Sequence, residues 1–364
     1  MGISQLRTLL LSDKLMRLTD FPYSNPGYGR KVAIVGVGSA GCKIASQLSK
    51  ESKLLEHFVY VTCDEHDVAN ITKGEKILLD ATASGRSSPY AIRGVASLKL
   101  PEIRRNIGDS EVVFIISGLG GAVGSGLAPL LAKEARSKGA VTIAIVVMPY
   151  NFERSKHFFA GGALKQLKSI ASGLVVIDND ELLQNDIPII DAYSIVNQKI
   201  ALALNKLFGS AEQHEFSVGM SNIVNFLKNN AYSVLCLGDS GVSEYRQAVM
   251  NAVNHFDRIV DKREASKSIV HLCTDKTITP SELVSSIGGL SGVMGNGSMQ
   301  IEYGLSANSF TCSTAIIMAT GFSTTKFDIY DPVDAALGVR SLNLDGDLEY
   351  WSEMESLLTN IERD

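Results

Sequence analysis

Residues 112–132 limit the architecture of this chain more than any other stretch: an apolar run, VVFIIS, leads into the glycine-rich string GLGGAVGSG at 118–126 and then into LAPLLA. The run suits a buried parallel strand, the string a loop of nearly bare backbone, and the remainder a helix starting where the loop ends. A loop without side chains lets several N–H groups and the positive end of a helix dipole converge on one phosphate. The segment is therefore read as the strand, loop and helix of a nucleotide-binding fold.

The same 21 residues carry no charge, which meets the length rule for a membrane span. Five glycines and one proline among them make poor material for a continuous helix, and no integral membrane segment is expected. The opening MGISQLRTLLLSDK mixes charges with its leucines and has no small-residue cleavage site, so it is not read as a signal peptide and a cytoplasmic protein is expected. A net charge of −5 over 364 residues gives no reason to expect nucleic acid as a partner. The five cysteines, Cys42, Cys63, Cys236, Cys273 and Cys312, lack CxxC spacing and are read as reduced core residues, with no metal site.

Strand and helix signals alternate along the first half. Apolar runs at 31–35, 58–64, near 76, 112–116, 141–147 and 174–178 are strands, with helices between them, among them 89–106 and 153–171. That order implies α/β architecture: a doubly wound parallel sheet with ligands at the carboxyl ends of its strands. A long helix at 191–208, capped by Asp191 and stopped by Gly209, then bridges to a second, smaller mixed α/β domain with strands near 232–237, 268–273, 299–305 and 312–318 and two clear helices. The expected organisation is an N-terminal amphipathic extension (1–30), a nucleotide-binding domain (31–190), the central helix (191–209), the second domain (210–325) and a C-terminal extension (326–364). In that last part Leu348, Trp351, Met354, Leu358 and Ile361 share one face of an acidic helix, which docks on the chain's own core or in a partner's groove.

Three motifs carry chemistry. Gly36-Val37-Gly38-Ser39-Ala40-Gly41 fits GxGxxG between a strand and a helix, and Asp64 ends the next strand, where a dinucleotide-dependent enzyme would set an acid on a ribose hydroxyl. The second glycine string is no part of that fingerprint, and two such loops on one sheet suit a phosphate chain gripped from two sides. Third, Asn179 begins NDELL after a strand, and Tyr193 and Asn197 lie one turn apart on the bridging helix, where a ring and an amide can stack on a base and read its edge.

With these residues in view, the chain resembles the tubulin superfamily of GTPases, on the FtsZ and archaeal CetZ side. The similarity runs through GVGSAG, the glycine string beside the family's GGGTGSG signature, PYNFE at 149–153, NDELL and the bridging helix, covering about residues 31–325. The resemblance implies GTP or GDP as ligand, with Mg²⁺ carried on its phosphates. It puts phosphates on Gly36, Gly38, Ser39, Ala40, Gly41 and Cys42 and on Gly118, Gly120, Gly121, Ala122, Val123, Gly124, Ser125 and Gly126. Glu153 takes the ribose, Asn179, Tyr193 and Asn197 the guanine, and Gly85 and Pro89 belong to the loop that senses the terminal phosphate. It further implies self-association, head to tail in a filament or as a dimer, with a regulatory cap on a catalytic homologue as the alternative.

The departures from the family pattern bear on activity. Ala122 and Val123 stand where the signature has glycine and threonine, which removes one hydroxyl donor. His157 stands near the position of an arginine beside the ribose, as a ligand contact or a solvated surface histidine. Cys42 begins a helix whose dipole lowers a thiol pKa, a reading weighed against burial as a small apolar side chain. In relatives the loop before Ile223 carries the acids that activate water on the next subunit's nucleotide, but here Gly219 and Asn222 take their places and neither is a base. Hydrolysis is expected to be weak or absent, with Glu215 the available substitute if it is not merely a solvated charge.

Overall fold

The structure is a computed structural model that describes residues 31–52, 55–81, 88–183, 188–208, 218–274, 278–295, 297–307 and 312–331. The two amphipathic extensions lie outside these, apart from residues 326–331. The chain begins with β1 (Val32–Val37), α1 (Gly38–Glu51), β2 (His57–Thr62), α2 (Glu65–Val68) and β3 (Glu75–Leu78). It continues through α3 (Pro89–Ile107), β4 (Val112–Gly118), α4 (Ala122–Ser137), β5 (Val141–Met148), α5 (Arg154–Ile170), β6 (Gly173–Asp178) and α6 (Asn179–Leu182). The long α7 (Ile189–Phe208) and α8 (Met220–Leu227) precede β7 (Tyr232–Ser240), α9 (Tyr245–Phe256), β8 (Lys267–Thr274), α10 (Pro280–Ile287), α11 (Leu290–Val293), β9 (Gln300–Ala307) and β10 (Ser313–Phe322). A short 3₁₀ turn, Lys326–Tyr330, follows.

All ten strands join one sheet in the order β3-β2-β1-β4-β5-β6-β7-β10-β8-β9. From β3 to β7 every pairing is parallel, and β10 runs antiparallel to both β7 and β8. Helices cover both faces of such a sheet, which is why β4, β5 and β6 read as unbroken apolar runs and are buried along almost their whole length. The chain winds outward from β1 to β3, then crosses back to β4 and winds the other way. The reversal leaves a crevice between the carboxyl ends of β1 and β4, where a ligand fits in this class of fold.

Two element boundaries differ from expectation. The bridging helix starts at Ile189, two residues before Asp191, because the Pro188 carbonyl accepts from the Asp191 and Ala192 N–H groups; Asp191 sits in the first turn and is not the cap. Residues 220–227 form α8, which the sequence reading missed because its apolar residues occupy barely two turns.

Candidate functional site

Two helix N-termini meet at the crevice. In the β1–β4 register Val37 lies level with Ser117, so the two glycine loops leave the sheet side by side. A Cβ built at Gly38 would stand 3.4 Å from the Gly124 nitrogen, and one at Gly118 3.0 Å from the Ala40 Cβ. Gly41 and Gly124 must be glycine for packing: a side chain on either would overlap the carbonyl oxygen of Ile116 or Gly118. Gly38 has φ +67°, a left-handed conformation that glycine adopts without cost. α1 and α4 both start without a side-chain cap and without an acid in the first turn. Neither helix places an acid of its own among its leading N–H groups, which leaves them to an incoming anion; the one carboxylate beside α1, Asp67, is engaged by the Ser39 hydroxyl.

Within these loops some side chains turn away from that role. The Ser125 hydroxyl donates to the Leu119 carbonyl, closing the loop on itself. The Ser39 hydroxyl donates to both carboxylate oxygens of Asp67, at 2.7 and 2.6 Å, and Thr62 donates to the same carboxylate at 2.9 Å. Cys42 is fully buried with its Sγ toward the Gly36 carbonyl, and burial pushes its thiol far above the ordinary range. Burial thus overrides the helix dipole, in line with the reading of Cys42 as a small apolar core residue, and its side chain is no phosphate contact. Gly121 differs from its neighbours: a Cβ there meets nothing within 4 Å, and its φ of −107° suits any residue. The fold itself therefore places no requirement for glycine at this position.

The PYNFE turn and α7 build the second part of the site. Glu153 accepts from the Tyr193 hydroxyl at 2.6 Å and from the Tyr150 N–H at 3.0 Å, and it pairs with Lys156. Burial alone would raise this carboxyl, but those three donors outweigh it and hold the group ionised below its usual range. Tyr193, 40% exposed, packs edge-on to the buried Tyr150 ring at 5.2 Å. Asn179 opens α6 behind an Asp178 cap, and Asn197 lies one turn beyond Tyr193; both are half-buried. Asp180 accepts from the Asn151 N–H at 2.9 Å, tying the PYNFE turn to NDELL.

His157 is neither solvated nor turned to the crevice. It is 6% exposed, its Nε2 donates to the Tyr150 carbonyl at 3.1 Å, and its ring stacks on Tyr330 at 3.9 Å. Burial lowers its pKa, so the ring is neutral. Asp64 caps α2 by accepting from the His66 N–H at 2.9 Å, which answers the acid of the dinucleotide reading with a local structural role. Pro89 starts α3, and its carbonyl would lie 2.7 Å from a Cβ on Gly126, so only a glycine lets these two elements approach. Gly85 and Glu215 lie outside the described residues. Gly219 adopts φ +80°, ψ 140° as the N-cap of α8, and Asn222 is exposed in that helix's first turn.

Three residues that sequence reasoning missed support the site. Asp67 holds Ser39, Asp180 joins the PYNFE turn to NDELL, and Arg93 on α3 donates to the Gly126 carbonyl at 3.0 Å and to Gln166 on α5 at 3.1 Å. Each bonds to a partner far away in the chain, and no local pattern marks such pairs.

Comparison with known proteins shows what this geometry is similar to. Residues 31–186 match the model of the Tubulin/FtsZ family, GTPase domain. "Cell division protein FtsZ 2" of Haloferax volcanii is 27% identical over 260 residues, 69% of this chain, and the match spans 65% of that relative's length. "Cell division protein FtsZ 2" of Methanocaldococcus jannaschii is 23% identical over 293 residues, 75% of each chain. Among solved structures, the CetZ2 GTPγS-bound protofilament from Haloferax volcanii superposes with a TM-score of 0.67 at 19% identity, covering 85% of this chain and all of that one. Two glycine loops converging at the switch point, a PYNFE turn tied to a long bridging helix and these matches agree: residues 31–186 match a Tubulin/FtsZ-family GTPase domain, and the chain is similar to archaeal FtsZ proteins and shares the fold of CetZ.

Proposed function

We propose that this protein binds guanine nucleotide, GTP or GDP with Mg²⁺ on its phosphates, self-associates head to tail in a filament or dimer, and hydrolyses GTP weakly or not at all. The observation that carries the reading is the meeting of two uncapped helix N-termini at the β1–β4 reversal, with a hypothetical Gly38 Cβ only 3.4 Å from the Gly124 nitrogen. One loop alone would suit many ligands, whereas two facing loops suit a chain of phosphates. In this reading Glu153 takes the ribose hydroxyls, and Asn179, Tyr193 and Asn197 surround the base. Self-association is supported by the CetZ2 protofilament among the structural neighbours. Weak hydrolysis is supported by Gly219 and Asn222, which supply no base at the loop that would meet the next subunit. In this reading residues 31–190 carry the nucleotide and residues 210–325 form the second part, joined by the helix at 191–209 and by one continuous sheet.

A titration tests guanine specificity. An amide at Asn197 accepts from the N1–H and 2-amino edge of guanine, and adenine leaves such a polar group unpaired. GTP is expected to bind at least tenfold more tightly than ATP, and Asn197→Ala to weaken GTP while leaving the circular dichroism spectrum unchanged. Equal affinities for the two nucleotides would refute the assignment of the base pocket.

A further inference from the structure

The hydrogen bonds around Glu153 do not end at the crevice. The Tyr150 backbone is their hub: its N–H donates to the Glu153 carboxylate at 3.0 Å, and its carbonyl accepts from the Glu153 N–H at 2.9 Å and from His157 Nε2 at 3.1 Å. His157 is held in turn from behind. The ring of Tyr330 lies flat on it, centroids 3.9 Å apart and planes 15° from parallel, and both residues are buried. Tyr330 is the last residue of the 3₁₀ turn that follows β10, where the chain returns from the second half of the sheet to α5.

That turn is fixed on several sides. Gly161 on α5 has no side chain because the Tyr330 carbonyl occupies the space. Lys165 on the same helix pairs with Asp331, and Tyr232 on β7 donates to Asp328 at 2.8 Å. Thr325 and Asp328 close a capping box, and Lys326 pairs with Asp178, the cap of α6. The turn is therefore rigid where it meets His157, and it rests on both ligand-bearing elements, α5 directly and α6 through Asp178.

We propose that Tyr330 and His157 are positioning residues for the sugar-binding carboxylate: the 3₁₀ turn at 326–330 holds His157, His157 fixes the Tyr150 carbonyl that also accepts from the Glu153 N–H, and the Tyr150 backbone so held aims Glu153. The inference rests on the reading of Glu153 as the ribose ligand. It assigns to the stretch after β10 control over how firmly a nucleotide's sugar is held. A carboxylate that turns freely hydrogen-bonds poorly to a diol, so loosening the turn should reduce the contribution of the sugar hydroxyls and leave phosphate and base contacts in place.

The ratio of dissociation constants for 2′,3′-dideoxyGTP and GTP isolates that contribution, and it does not depend on the fraction of a preparation that is folded. Glu153→Gln calibrates the assay by lowering the ratio. Tyr330→Leu, which removes the stacked ring, and His157→Phe, which keeps the stack but has no donor, should each lower the ratio about three- to tenfold, the worth of one well-placed hydrogen bond. Tyr330→Phe retains the stacked ring and should keep the wild-type ratio. A general loss of structure would weaken both nucleotides equally and leave the ratio unchanged, which counts against the proposal. If Glu153→Gln lowers the ratio while Tyr330→Leu and His157→Phe do not, the positioning role is wrong and the ribose reading stands. If Glu153→Gln itself has no effect on the ratio, the ribose reading fails, and the positioning role fails with it.

Discussion

At the scale of single residues, backbone conformation decides which substitutions can restore lost chemistry. On the proposed reading Gly219 and Asn222 stand where acids would serve hydrolysis, yet the two are not equivalent. Gly219 has φ +80° and ψ 140°, a region populated almost only by glycine, so Gly219→Asp is expected to cost about 1–3 kcal/mol in strain. Asn222 is an exposed residue in the first turn of α8, where a carboxylate is favoured by the helix dipole and Asn222→Asp should be neutral or slightly stabilising. Denaturant midpoints for the two variants check this order. On the proposed reading, Asn222→Asp alone also raises phosphate release, by on the order of 10²-fold if the carboxylate serves as a positioned base, and the gain grows with protein concentration because two subunits share the site. An unchanged rate in that variant, together with a sharp fall in Glu215→Gln, would place the base in the stretch before Val218.

Among the elements, the pairing of β8 with β9 contains a buried polar cluster that ties stability to pH. His271 on β8 is almost fully buried, its Nε2 lies 2.9 Å from the Ser306 hydroxyl on β9, and that hydroxyl lies 3.5 Å from Cys273. Burial, with a smaller contribution from the Lys206 charge, pushes the histidine down from its ordinary 6.5 to about 3. The folded protein then keeps the ring neutral over a range in which the unfolded chain protonates it. Stability should therefore fall as pH drops from about 6.5 toward 3, by roughly 1.4 kcal/mol per unit from this group. His271→Gln keeps a hydrogen-bonding side chain without a titration. Unfolding midpoints at pH 7, 5 and 4 should show a shallower decline in that variant, and identical slopes would remove His271 as the cause.

For the whole molecule, the continuity of the sheet matters more than the change of pattern after residue 190. β7 pairs with β6 in parallel and with β10 in antiparallel fashion, so no gap separates the two halves. One apolar core runs from Ala33 on β1 to Phe322 on β10 and Tyr330. A chain cut after Phe208 leaves β6 as an open edge beside uncovered apolar surface, and it is expected to aggregate during purification. A monomeric, nucleotide-binding fragment on size exclusion would instead establish residues 31–208 as an independent domain.

The sequence by itself determined the parallel half of the sheet and the two glycine loops at the carboxyl ends of its strands. Unbroken apolar runs and glycine strings are local patterns, and burial on two faces or close approach of bare backbone leaves little choice of residue at each position. The central helix was legible for the same reason, although its start lay two residues earlier than the acid suggested. Only the tertiary structure decided the roles of the polar side chains. Ser39 and Asp67 are 28 positions apart and His157 meets a ring on Tyr330, so nothing near either residue announces its partner. Cys42 and His157 show the same limit: a helix terminus or surface is visible in the sequence, but burial is set by what packs against it from elsewhere in the chain. Desolvation then outweighs the local dipole and decides the chemistry.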